Sequence, residues 1–154
     1  MPRTIDPNSF GFMATDLARL LRTEMDRRIT DSNLCVTPAE VRALAHAARA
    51  GSVRQNVLAE RLGVEPMTLS SLLDRLEARG LVERTPDPAD RRAKLVSLTD
   101  AADPVLAATS EIGTAIRAEA GRGISAEDWA VFMRVLRQTR DNVLAGRRDE
   151  SEAA

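Results

Sequence analysis

Two arginines close a turn-forming run in this 154-residue chain: Pro86-Asp87-Pro88-Ala89-Asp90-Arg91-Arg92. Prolines and aspartates favour turns, so the pair is carried on a loop. A guanidinium is a rigid fork of donors that matches phosphate oxygens. A second group, Thr68, Ser70, Ser71 and Arg75, lies on or near one side of a leucine-patterned segment. Hydroxyls and a guanidinium in such a row are the groups that grip phosphates and read base edges. Catalytic chemistry finds little support. The chain has one histidine, His46, and one cysteine, Cys35, so no nucleophile–histidine–acid set can be built around a motif. Zinc needs about four ligands, and these two residues fall short. No glycine run cradles phosphates. No catalytic residue, metal or cofactor is expected.

The elements that must hold these residues are legible in order. Leu69, Leu72, Leu73 and Leu76 recur at helical spacing and should face a core, which turns the polar set outward. Pro66 suits the first turn of that helix, with Glu65 a mediocre cap, and Gly80 stops it. Before it, Ser52-Val53-Arg54-Gln55 reads as a capping box opening a helix that buries Val57, Leu58, Ala59 and Leu62 and ends at Gly63. Two helices joined by a short glycine-containing turn make a helix–turn–helix. Leu81–Thr85 and Lys94–Leu98 suit two strands flanking the charged loop.

The run Asp74-Arg75-Leu76-Glu77-Ala78-Arg79-Gly80-Leu81-Val82-Glu83-Arg84, followed by Asp90-Arg91-Arg92 and Leu98-Thr99, resembles the MarR (multiple-antibiotic-resistance-regulator) family of transcription factors. The resemblance follows the helix order over nearly the whole chain, with its specific motifs between Ala59 and Thr99. It implies a mainly α fold: a winged helix–turn–helix of three helices plus a β-hairpin wing, with N- and C-terminal helices forming a dimerisation region. It implies one domain over 1–154, a DNA-binding region at 37–99 and helical dimerisation segments at 8–31 and 103–146. The function implied is sequence-specific DNA binding by a transcriptional regulator, a repressor released by a small aromatic or phenolic ligand. Arg91 or Arg92 would reach the minor groove, with Asp90 positioning them. The DNA-contacting set expected on this reading is Arg54, Gln55, Thr68, Ser70, Ser71, Arg75, Arg84, Asp90, Arg91 and Arg92. By position, a ligand crevice would draw on Phe12, Arg19, His46 and Leu106.

The flanks read as amphipathic helices. From Asn8 to Ile29, Phe10, Met13, Leu17, Leu21 and Met25 recur at three- and four-residue steps, widened by Leu20. Thr37-Pro38-Ala39-Glu40 is a capping box opening a helix that turns Val41, Leu44 and Ala45 inward and stops at Gly51. Asp103-Pro104 begins or kinks a helix running to about Ala120, and Gly121-Arg122-Gly123 ends it. Ser125-Ala126-Glu127-Asp128 caps a last helix carrying Trp129, Phe132, Met133, Leu136, Val143 and Leu144, with a charged tail from Arg147 that should fray. In the family such terminal helices interleave across a two-fold axis, which implies a homodimer on a pseudo-palindromic operator in double-stranded DNA.

Two departures from the family pattern stand out. Asp100-Ala101-Ala102-Asp103-Pro104 replaces the glycine usual after the wing, so the next helix should start late, at Asp103. Ser71 takes a position where relatives often carry a long polar residue, which shifts specificity toward shape and wing contacts. Composition bounds the rest. The net charge is −1, and from Arg75 to Lys94 six basic residues face four acidic ones, so any footprint on DNA must be local and doubled by a dimer. No secretory signal or apolar span is visible, and a single cysteine suits a reducing, cytoplasmic setting without membrane contact. Cys35 is expected to be a plain buried thiol. A reading from another class is an interaction or anti-repressor protein that keeps the fold with weakened DNA binding.

Overall fold

The computed structural model describes residues 6–152, with side chains through 146. The first five and last two residues of the expected 1–154 span lie outside the described residues. The chain is mostly helical and divides into two compact units, Met1–Ile116 and Arg117–Ala154.

In the first unit, α1 (Phe10–Asp31) precedes α2 (Pro38–Ala50), a short strand β1 (Ser52–Arg54), α3 (Gln55–Leu62) and α4 (Pro66–Ala78). Strands β2 (Val82–Pro86) and β3 (Lys94–Leu98) form the wing hairpin. A single 3-10 turn, Asp100–Ala102, then leads into α5 (Asp103–Ala120), which starts where Pro104 costs no helical hydrogen bond. All three strands are antiparallel in the order β1-β3-β2, with Val53 opposite Val96 and Arg84 opposite Val96 on its other side.

The core is a set of leucines and valines from α2, α3, α4 and the sheet. Leu44, Leu58, Leu69, Leu73, Leu76 and Val96 are fully buried, and Ile29 joins them from the end of α1. These are the periodic residues of each helix, and their burial fixes α4 with its polar side outward. The α2 capping box forms in full: Glu40 N–H donates to Thr37 Oγ1 at 3.2 Å, and Thr37 N–H donates to Glu40 Oε2 at 2.9 Å. Gly63 takes the left-handed conformation that closes α3, with φ +64°.

Three local expectations are corrected. Ser52 and Gln55 form no capping box: Ser52–Arg54 pairs with β3, and α3 begins at Gln55 without a side-chain cap. Backbone pairing to Leu95–Ser97 holds Ser52–Arg54 extended, so the helix starts only after Arg54. On α2 it is Ala43 and Ala47, not Ala45, that are buried beside Leu44, which moves the apolar face by part of a turn. Cys35 is exposed, not buried; it has φ +54°, and Val36 takes the core position next to it.

The second unit holds the last turn of α5, a glycine turn and α6 (Ala126–Glu152). Gly123 has φ +79°. Ser125 caps α6 as expected, accepting from Asp128 N–H at 3.0 Å and donating to its carboxylate at 2.7 Å. Arg117 lies over the Trp129 ring at 5.6 Å, and the Trp129 and Phe132 rings are tilted with centroids 5.5 Å apart. The helix runs on past Arg147 to Glu152, where fraying was expected. Among the described residues no helix is long and apolar enough to cross a membrane.

Candidate nucleic-acid interface

Helix α4 presents one apolar and one polar side. Opposite the buried leucines run Met67, Ser71 and Asp74 at i, i+4 and i+7, flanked by exposed Thr68 and Arg75. Ser71 Oγ donates to the Met67 carbonyl at 3.2 Å, so its proton is used inside the helix and its lone pairs face outward. Ser70 is half-buried. At the far end Gly80, with φ +69°, and the Leu81 N–H donating to Leu76 O at 3.0 Å turn the chain into β2.

The wing is built on two aspartates. Asp87 is 5% exposed; it accepts from Ala89 N–H at 2.8 Å and from Arg54 Nε at 2.6 Å. The Ala89 amide and then the Arg54 guanidinium hold its carboxyl below the usual aspartate range. Asp90 accepts from Arg92 N–H at 3.0 Å, and Ala93 N–H donates to the Asp90 carbonyl at 2.9 Å. These Asx turns leave Arg91 and Arg92 exposed at the tip, with no ion pair among the described residues.

Other cations are committed within the chain. Arg84 is almost buried and bonds to Glu77 and to Asp74, and the Arg84 hydrogen bond holds Glu77 below the usual glutamate range. Arg75 Nε donates to Glu40 at 2.9 Å, and Arg79 lies 3.6 Å from the same carboxylate. Burial raises the Glu40 pKa, but the Thr37 amide and Arg75 outweigh it and leave it lowered. Glu40 thus joins the cap of α2 to the outward face of α4. Asp87 joins the wing to β1. Sequence reading saw neither ion pair: the partners are separated by 35 and 33 residues.

Gln55, Ser70, Arg84, Asp90 and Arg92 line one cleft of about 530 Å³ between α3, α4 and the wing. Asn56, Pro66 and Lys94, none of them among the expected DNA contacts, line it too. Thr68, Ser71, Arg75 and Arg91 are exposed outside the cleft lining, and Arg54 is paired to Asp87 at the wing's base.

The residues expected around a ligand crevice lie on three helices, α1, α2 and α5. Phe12 is exposed on α1. Arg19 pairs with Asp16 at 3.3 Å and lines a shallow depression with Ala14, Thr15, Ala18 and Arg22. Leu106 packs against the core. Burial, then the charges of Arg49 and Arg61, lowers the His46 pKa and favours its neutral form. Among the described residues no three potential ligands gather as a metal site.

Comparison with known proteins fits this geometry. A profile of the MarR family matches residues 36–93, which span α2 through the wing loop. The solved transcriptional regulator PA3341 is 37% identical, with 88% of this chain and 98% of that one covered and a TM-score of 0.70. Apo MarR from E. coli is 23% identical over 88% of this chain and 98% of its own, with a TM-score of 0.75, a likeness of fold. A cysteine-to-serine mutant of E. coli MarR, solved with operator DNA, is 26% identical over 81% and 91%, with a TM-score of 0.63.

Proposed function

Because the chain belongs to the MarR family of transcriptional regulators, we propose that it binds double-stranded operator DNA as a homodimer, with α4 in the major groove and the wing against the flanking minor groove. Regulators of this family are non-enzymatic. The observation that carries the reading is one cleft that sets Ser70 of α4 across from Arg92 of the wing, with Arg91 exposed beside it at the tip and Thr68, Ser71 and Arg75 exposed along α4. Hydroxyl groups then meet base edges while guanidiniums meet phosphates or the negative potential of a narrow minor groove. The solved DNA complex of the E. coli relative supports the same use of the fold here.

The proposal extends to assembly and control. The DNA-binding region is residues 37–99, and segments 8–31 and 103–146 form the dimer. Phe10, Met13, Leu17 and Leu20 on α1, and Val135, Leu136 and Leu144 on α6, are all exposed in the single chain. A second copy would cover them. The dimer acts as a repressor. A small ligand near Phe12, Arg19, His46 and Leu106 would release it by changing the separation of the two α4 helices, since two half-sites must be met at once.

A mobility-shift assay against DNA from upstream of the protein's own gene tests the core of this proposal. A specific, competable shift supports it. A second reading, an interaction protein with weakened DNA binding, draws support from the ion pairs that engage Arg54, Arg75 and Arg84. No shift at low salt, with the dimer intact, would favour that reading.

A further inference from the structure

We propose that Met67 is a specificity-determining residue that reads the 5-methyl group of a thymine in the major groove. The inference rests on the DNA-binding reading above and names what α4 recognises. Met67 follows Pro66 in the first turn of α4, and N-terminal residues of a recognition helix are the ones that meet base edges. Its side chain is 78% exposed, more than Phe10 or any of the apolar residues left uncovered on α1 and α6. It stands directly opposite the buried leucines, at the head of the stripe that continues through Ser71 and Asp74.

The polar members of that stripe are already engaged. Ser71 spends its proton on the Met67 carbonyl, and Asp74 accepts from Arg84 at 2.6 Å. A hydroxyl used this way still accepts a hydrogen bond, but its power to discriminate is small. Within that stripe the discriminating group left is therefore an apolar one. In the major groove the apolar mark is the thymine methyl, which sets T·A apart from C·G at the groove edge. A thioether is flexible and polarizable, so it can settle on a methyl without demanding one backbone height.

The test uses the full-length protein. Binding sites are selected from random duplex DNA, and each thymine of the recovered site is then replaced by deoxyuridine, which keeps pairing and removes only the methyl. For the wild type, one thymine per half-site should lose about fourfold in affinity on replacement, the worth of one buried methyl group. Met67→Ala should bind the thymine site as weakly as the wild type binds the uracil site, and should be indifferent to the replacement. Its helical circular dichroism should be unchanged, because the side chain supports no core contact. Equal uracil penalties in wild type and Met67→Ala, or none at any position, would overturn the role of Met67 while leaving DNA binding in place. Failure of the wild type to enrich any site would overturn both readings together.

Discussion

Asp87 and Glu40 are buried acids whose work is positional. Each carboxylate holds an arginine and a backbone amide, so each ties two distant segments of the proposed DNA interface. Both have depressed pKa values in the folded state. Their stabilisation is therefore fully present above the ordinary carboxylate range, about pH 4 to 5, and is lost as pH falls through the lowered value. Glu40→Gln should flatten the acid limb of a stability-against-pH curve measured by urea unfolding; an unchanged acid limb would mean that the ion pair with Arg75 contributes nothing. Arg91 and Arg92 belong to the same scale. Replacing both with alanine should weaken specific DNA binding by more than about tenfold and reduce the magnitude of the salt slope, because fewer counterions are released. Circular dichroism should not change. Unaltered affinity at moderate salt would remove the wing from the interface.

Helix α4 is the element on which the proposed recognition turns. Its four leucines lock its rotation, and the Glu40–Arg75 bond adds a polar tie from α2. Arg75 is then held where a phosphate would compete with Glu40 for it. Arg75→Ala should lower affinity for all sequences alike, whereas Ser71→Ala should alter sequence preference only weakly, through its accepting oxygen, with little effect on stability. Site selection with each variant separates the two outcomes. A Ser71→Ala protein that recovers the wild-type site would leave recognition to Met67, the wing and DNA shape. The wing hairpin depends on β1, the strand that carries Arg54 to Asp87. Losing that tie would loosen the tip without touching the core.

For the whole molecule, the exposed apolar stripes of α1 and α6 set the expectation. Only Ile29 of α1 is buried, and α6 buries none of its described side chains. Covering a residue such as Phe10, Leu17 or Leu136 contributes about 1.5–3 kcal/mol. A dozen such residues would hold a dimer firmly and leave the monomer prone to aggregate. Leu136→Glu should abolish dimerisation and DNA binding together. Sedimentation of the wild type at micromolar concentration is the direct measurement. A well-folded monomer that still bound DNA as one unit would defeat both the interface and the two-half-site mechanism built on it.

Local repetition is what the sequence determined alone. Leucines at helical spacing, the Thr37–Glu40 capping box, Gly63 and Gly80 at helix ends and the late start at Asp103 all act within a few residues, so spacing along the chain reveals them. The winged helix–turn–helix and the position of Arg91 and Arg92 followed from the same local signals. Tertiary structure decided what depends on distant partners. Ser52–Arg54 is a strand only because Leu95–Ser97 lies beside it, and three residues carry too little pattern to announce that pairing. Glu40 reads locally as a cap and Asp87 as a turn former; their arginines arrive from more than thirty residues away. Arg84 looks like any basic residue until Glu77 and Asp74 close on it. An ion pair is a contact in space, and no periodicity along a chain encodes which charge it will meet.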